Sequence, residues 1–333
     1  MRPKALGAAI ALLGLMALVL IAGLGTGTYR LSATEIAEAL WSPEAPHRLI
    51  VWELRLPRLL LAFCAGGVLS LGGFYMQALI KNPLADPYIM GLTAGAGFGV
   101  NLIILGLIPL GGLSLFTYPL FAALGGLSSL LLVVVLGFRS FFEDNAKLLI
   151  AGVAVASIFT ALTGVLIYTQ AEDDQIRQVV FWSFGSFARA TWPGVGISSL
   201  LLLGALLFGL ALARPLDLLV LGDLQARTLG MQVSRVKLVL LLVTSLTVGG
   251  TVAFTGPIGF VGMMIPHFSR ALFGAAHRPN VVLGTLMGGT YLAACDILSR
   301  WLLPPAGLPI GIVTAILGVP FFLYVLFSRR SYI

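Results

Sequence analysis

The chain has 333 residues, 59% of them hydrophobic and only 10% charged. A soluble domain carries about 25% charged residues, so this composition excludes one and describes an all-α polytopic membrane protein. The formal charge of +7 is scattered over the connections between apolar runs, so it reports orientation and gives no support to a nucleic-acid partner.

A spanning helix needs roughly 20 predominantly apolar residues. Ten segments qualify: 6–25, 59–80, 91–110, 118–138, 147–168, 192–213, 236–255, 257–273, 281–303 and 309–327. The eighth is the weakest, being short and interrupted by Pro266. Runs this continuous exclude a β-barrel, whose strands alternate and are shorter. With the N-terminus inside, 13 of the 20 Lys and Arg fall on the inner side and 7 on the outer. The positive-inside rule favours that orientation, and ten spans return the C-terminus to the cytoplasm. Residues 1–333 form a single transmembrane domain.

Arg2 and Lys4 precede the run Ala5–Leu24 as in a secretory signal. The run is longer than an h-region and lacks a clean A-x-A site, so it is expected to stay as the first span. Thr26–Arg58, outside, carries Trp41, Trp52 and several glutamates, which suits an amphipathic segment at the lipid interface. Arg55-Leu-Pro-Arg58 sets two guanidiniums about one turn apart. They make either a rigid cationic site for carboxylates or side chains snorkelling to headgroups. Cys64 and Cys295 lie within spans, so no disulfide framework is expected. His47, His267 and His277 lack ligand spacing, and no metal site is implied.

Asn82-Pro83-Leu84-Ala85-Asp86-Pro87 separates the second and third spans. Each proline removes a backbone donor and pushes the residue before it out of the α region. Broken backbone near a bilayer is tolerated where protein buries it or where it lines a water-filled cavity. The hexapeptide therefore suggests a translocation path. Gly66-Gly67, Gly72-Gly73, Gly95, Gly97, Gly99 and Gly288-Gly289 fall within spans, where small residues let helices approach closely.

The connection Gln170–Ala190, outside, holds an acidic cluster and then an aromatic run, Phe181-Trp182-Ser183-Phe184. Tyr168, Gln170, Arg177, Phe181 and Trp182 are candidates for the outer half of a path. Inside, Pro215–Lys237 contains Asp223, placed to N-cap a short helix over Leu224–Leu229, and Gly230, placed to end it. Leu218, Leu219, Leu221, Leu224 and Leu229 make this segment too apolar for a solvated loop. It docks either on the membrane surface or in a partner's groove. Asp296 stands four residues before Arg300, so the two can pair on one helix face.

Nothing in the chain is catalytic. None of its four lysines follows a glycine, so a Walker A loop is missing and ATP is not bound that way. Mid-span ionisable residues are almost absent, which argues against a proton-coupled carrier. Energy comes from another polypeptide, or the protein is an ATP-independent carrier or channel.

Several linked motifs appear in a fixed order: Arg55-Leu-Pro-Arg58, Gln77 with Asn82-Pro-Leu-Ala-Asp-Pro87, and Leu148-Leu-Ile-Ala-Gly152. They continue with Leu221-Gly-Asp, Leu229-Gly230, Gly259-Phe-Val-Gly262, Pro266-His267, Arg270, Asp296 with Arg300, Leu308–Thr314 and Gly318-Val-Pro320. From about residue 50 onward the chain resembles the FecCD-type permease subunits of bacterial type II ABC importers, which take up iron–siderophores, haem and cobalamin. The resemblance implies a homodimer in the bacterial cytoplasmic membrane with its pathway along the dimer interface. It also implies two cytoplasmic ATPase subunits that bind the ATP and Mg, and a periplasmic or lipid-anchored substrate-binding protein. Arg55, Arg58 and Arg300 match positions that receive acidic side chains of the binding protein. Leu218, Leu221, Gly222, Asp223, Leu224, Ala226, Arg227, Leu229 and Gly230 match the coupling segment seated on the ATPase. Asn82, Pro83, Leu84, Asn145 and Ala146 match the inner end of the path.

Overall fold

The computed structural model describes residues 3–27, 29–108, 114–137 and 145–327. Arg2, Arg139, Arg329 and Arg330, four of the 13 basic residues expected on the inner side, lie outside the described residues, as does the Asn145 side chain. The chain is all-helical. In order come α1 (Pro3–Gly25), α2 (Ala33–Trp41), a π-helical turn (Ile50–Arg55) running straight into α3 (Leu56–Ile80), a 3-10 turn (Pro87–Met90) and α4 (Leu92–Ile104). Then follow α5 (Ser114–Gly137), α6 (Asn145–Gln170), α7 (Asp173–Ser183), α8 (Trp192–Ala211), α9 (Ala213–Leu221) and α10 (Asp223–Thr228). The last four are α11 (Val233–Thr255), α12 (Val261–Phe273), α13 (His277–Leu302) and α14 (Ile310–Phe327).

Each of the ten expected segments holds a helix among the described residues, but they are not equal. Among the described residues seven helical stretches, containing α1, α3, α5, α6, α8, α11 and α13, are long and apolar enough to cross a bilayer, while α4 and α14 are shorter apolar helices. The 13 residues of α12 rise about 20 Å, short of a hydrocarbon core of about 30 Å. The third segment, expected over 91–110, stops as a helix at Ile104, and Gly106 follows with φ +69°. Hydropathy alone does not register that break.

The core is built around α3, in which every residue from Cys64 to Ile80 is buried. It packs on α13, α8, α11 and α12. Two close approaches explain its glycines and those of α4. A Cβ on Gly66 would stand 2.1 Å from the Gly288 carbonyl oxygen, and one on Gly95 would stand 2.3 Å from that of Gly125. Neither distance admits a side chain, so these helices touch backbone to backbone, as the glycine spacing implies.

The two ends of the bundle are named here by α3: the Arg58 end, where it begins, and the Lys81 end, where it stops. Beyond Lys81 the chain turns back into the bundle. Pro87 packs against the Cα of Gly72, and Gly262 lies against Gly73, eight residues (about 12 Å) before the end of α3 at Ile80. Thus α4 starts deep in the bundle and runs toward the Arg58 end, while α12 starts at a similar depth and runs toward the Lys81 end. The unwound segments between helices bond to one another. Ser186 N donates to Thr255 O (2.7 Å), Gly311 N to Phe184 O (2.8 Å) and Ile310 N to Gly185 O (3.2 Å). Ile258 N donates to the Tyr88 hydroxyl at 3.1 Å. Ile258 and Ile310 are buried, and their N–H groups would otherwise be orphaned away from water.

Candidate translocation site

At the Arg58 end, α1 finishes at Gly25 with carbonyls that no helical N–H can reach. Arginines supply donors to these and to the carbonyls just beyond: Arg55 to Leu24 O and Tyr29 O, and Arg300 to Gly23 O at 3.4 Å and Thr26 O at 2.9 Å. Asp296, 1% exposed, receives Arg58 Nε on both oxygens (2.9 and 3.1 Å) and Arg58 Nη2 at 2.8 Å. Arg300 Nε adds a 3.2 Å ion pair on the same carboxylate. The Asp296–Arg300 pairing expected from spacing is present, and Arg58 joins it from α3. Arg55 is buried at 7% exposure, so its guanidinium holds the end of α1. Arg58 and Arg300 share this one carboxylate, and with Arg55 bonded to carbonyls nearby the three guanidiniums exceed it by two positive charges.

In the middle of the bundle the unwound segments line an open groove of about 520 Å³. Tyr88 comes from the 3-10 turn, Gly91, Thr93 and Ala94 from its junction with α4, Ala156 and Thr160 from α6, Ser183 and Phe184 from the end of α7, Pro257 and Gly259 from the α11–α12 connection, and Gly311 from α14. Most of this surface is apolar or backbone. The Thr93 hydroxyl is buried with no hydrogen-bond partner among the described residues. Tyr88 accepts from Ile258 N and keeps a hydroxyl proton to donate. Such a lining can hold a bulky, largely apolar solute by shape with a few oriented hydroxyls.

The wall on the α12 side is fixed by a replacement bond. Pro266 has no N–H for the Gly262 carbonyl four residues earlier. Gln77 Nε2 from α3 fills that role, donating to Gly262 O (3.3 Å) and Met263 O (3.2 Å). Gln77 Oε1 in turn accepts from Arg270, whose guanidinium lies 5.7 Å from the Phe74 ring centroid.

At the Lys81 end, Asn82 Oδ1 accepts from Leu84 N at 2.9 Å and Ala85 N donates to Asn82 O at 3.0 Å, closing a tight turn. Lys81 precedes it in the left-handed conformation, φ 59°. Alongside, α9 buries Leu216 and Leu219 while α10 buries Ala226. Val220, Leu221, Leu224 and Leu229 project outward, with Leu224 78% exposed. α10 ends as its sequence predicts: Gly230 has φ +85°, Gly230 N donates to Arg227 O and Met231 N to Ala226 O, the paired bonds of a Schellman cap. Its start differs from expectation. The N-cap is Gly222, and Asp223 is the first helical residue. The Asp223 carboxylate turns away to Lys81 (2.7 Å) and Lys237 (2.6 Å). Two ammonium partners outbid the backbone amides that a capping aspartate would take. On α9, Asp217 accepts from His277 N (2.9 Å) and meets its Nδ1 at 2.6 Å.

The outer candidates divide. Tyr168 (92% exposed), Gln170, Arg177 and Phe181 lie on the surface, whereas Trp182 is half-buried beside Gly97. From the aromatic run it is Ser183 and Phe184 that line the groove. Sequence reasoning missed these, together with Tyr88, Thr93 and Thr160. It also missed Lys81 and Lys237, although a lysine one turn into the apolar helix α11 signals a buried partner.

The model of the FecCD transport family matches residues 15–328. The hemin transport system permease protein HmuU of Yersinia pestis is 38% identical over 323 residues, covering 94% of this chain and 95% of that one. The vitamin B12 import system permease protein BtuC of Escherichia coli O9:H4 (strain HS) is 38% identical over 282 residues, 85% of each chain. A solved structure described as an inward-facing conformation of a putative metal-chelate type ABC transporter superposes with TM-score 0.86 at 31% identity, covering 96% of this chain and 99% of that one. Motif order, helix arrangement and these matches agree: the chain belongs to the FecCD transport family, the permease subunits of ABC importers.

Proposed function

We propose that this permease carries a metal chelate, a ferric siderophore or haem, through a pathway formed between two copies of the chain. The observation that carries this reading is the mid-bundle groove. Unwound backbone lining an open groove inside a bilayer needs protein or water over it, and a second copy facing the first, with water enclosed between them, supplies both. The ridge Val220–Leu221–Leu224–Leu229 seats on an ATPase subunit at the Lys81 end, which is the cytoplasmic end. The N- and C-termini are cytoplasmic, as the basic residues favour. At the outer end, the surplus positive charge of the Arg58–Asp296–Arg300 cluster, with Arg55 behind it, attracts carboxylates of a substrate-binding protein. Asn82, Pro83, Leu84, Asn145 and Ala146 form the inner gate. Tyr168, Gln170, Phe181 and Trp182 lie above the groove on the route from the binding protein.

Haem fits best among the candidate cargoes, because the groove is mostly apolar and HmuU, a hemin permease by name, aligns over nearly its full length. The test is a titration of the cognate binding protein with haemin, ferrichrome and cyanocobalamin, followed by uptake of the bound compound into proteoliposomes holding permease and ATPase. Tight binding and ATP-dependent uptake of haemin or ferrichrome is the expected result. Selective uptake of cyanocobalamin would reassign the cargo. Uptake driven by an ion gradient without ATPase would overturn the mechanism.

A further inference from the structure

Three charged side chains from three elements converge at the Lys81 end. Asp223, opening α10, places one carboxylate oxygen 2.7 Å from Lys81, the residue that closes α3, and the other 2.6 Å from Lys237 of α11. The Lys237 side chain is only 2% exposed, against 29% for Lys81 and 22% for Asp223. Lys81 holds a left-handed position that glycine usually takes at a helix end, so a side chain there needs a reason. Its ammonium reaching Asp223 supplies one.

The tie is stiff on both sides. α10 is closed by its double cap at Gly230, and residues 82–85 are held by the Asn82 side chain and the Ala85 amide. A displacement of α10 is therefore passed through Asp223 to the turn with little slack. We infer that Asp223 is a positioning residue that couples the ATPase-facing helix α10 to the turn at Asn82–Ala85, so that nucleotide-driven movement of α10 resets the inner end of the pathway. This rests on the coupling and gate roles proposed above.

The test uses the complex purified with its ATPase subunits and carrying Leu84→Cys. Leu84 is half-buried, and the native Cys64 and Cys295 are buried, so a polar maleimide reports on position 84. Labelling rates are measured nucleotide-free and after trapping with ATP and vanadate. The two states should differ by about fivefold or more, the lower end of ordinary coupling between sites. Adding Asp223→Asn should bring the two rates together, measured on preparations with full ATPase content. Lys81→Gln cuts the same tie from the other side, leaves α10 untouched, and should do likewise. The exchange Lys81→Asp with Asp223→Lys rebuilds the ion pair and should restore the difference. If Asp223→Asn and Lys81→Gln both keep the full difference, the tie carries no coupling and this inference alone fails. If Leu84→Cys without further changes labels equally in both states, the gate assignment fails and the inference falls with it.

Discussion

Replacing Asp296 by asparagine tests whether the Arg58 end is held by one carboxylate. Asp296 is 1% exposed, and its arginine partners are 18% (Arg58) and 12% (Arg300) exposed. Asparagine keeps the shape but removes the charge that three contacts from Arg58 and one from Arg300 converge on. Breaking a buried ion pair from one side costs about 3–5 kcal/mol. Arg300 retains the Thr26 carbonyl, whereas Arg58 loses its carboxylate, so the lower end, about 3 kcal/mol, applies. At about 2–4 °C per kcal/mol, the unfolding midpoint should fall by about 6–12 °C.

The assay is thermal unfolding in detergent followed by tryptophan fluorescence, for which the chain has five reporters. The double change Arg58→Leu with Asp296→Leu removes both charges together and should recover most of the loss, since a buried pair is often matched by apolar packing. A midpoint within about 2 °C of the parent for Asp296→Asn would show that the pair contributes less than about 1 kcal/mol, and the account of this end would be wrong.

Leu224→Asp with Leu229→Asp should release the ATPase on purification, because each leucine forfeits about 1.5–3 kcal/mol of apolar burial in the complex; recovery of a complete, active complex would refute the ridge. Arg300→Gln should weaken binding-protein capture several-fold at low ionic strength and less at high salt, measured by surface binding, because the attraction is screened. Gly288→Val should cost about 1–3 kcal/mol through overpacking, since its Cβ would lie 2.4 Å from the Gly66 carbonyl oxygen. Gly204→Ala, with nothing within 4 Å, should leave yield and unfolding midpoint unchanged. The ties of α9 and α10 should survive mild acid. Burial alone would raise the Asp223 carboxyl, but hydrogen bonds from Lys237 and then Lys81 hold it below its ordinary value of 3.8. At Asp217 burial is likewise outweighed by its bonds to His277. A depressed carboxyl stabilises above its unfolded pKa and stops as pH falls through its folded one. Hydrogen exchange across 213–230 should therefore stay slow from neutrality to about pH 4 and rise only below it; loosening already at pH 5–6 would contradict the assignment.

How much of this was legible in sequence depended on whether a residue's partner was near in the chain. The helical segments follow from continuous apolar runs, and the glycine pairs from their positions within spans. Asp296 with Arg300 is an i, i+4 neighbour, so spacing found it. Arg58 reaches the same carboxylate from a helix 238 positions away in sequence, and no local pattern encodes that. Asp223 shows the same limit from the opposite side. Its position before Leu224–Leu229 suits an N-cap, yet two lysines brought in by folding took the carboxylate instead. The groove was the least legible feature, because its lining is drawn from five separate parts of the chain and consists largely of residues with ordinary local roles.

Why the hexapeptide at 82–87 matters becomes clear from where it sends the next helix. Two prolines could have ended α3 at the membrane surface and begun a full-length span there. Instead Pro87 packs at the level of Gly72 and Gly262, so α4 starts deep in the bundle and α12, starting nearby, needs only 13 residues to reach the Lys81 end. Two short helices leaving one level in opposite directions expose helix ends, and helix ends carry unsatisfied backbone groups. In this chain, cross-bonds among 184–186, 255–258 and 310–311 satisfy part of that demand, and Gln77 answers for the carbonyls around Pro266. What those bonds leave open among the described residues is a face of short turns and hydroxyls, which lipid cannot cover cheaply. A pathway placed there uses a surface that the break in α3–α4 had already made unsuitable for lipid.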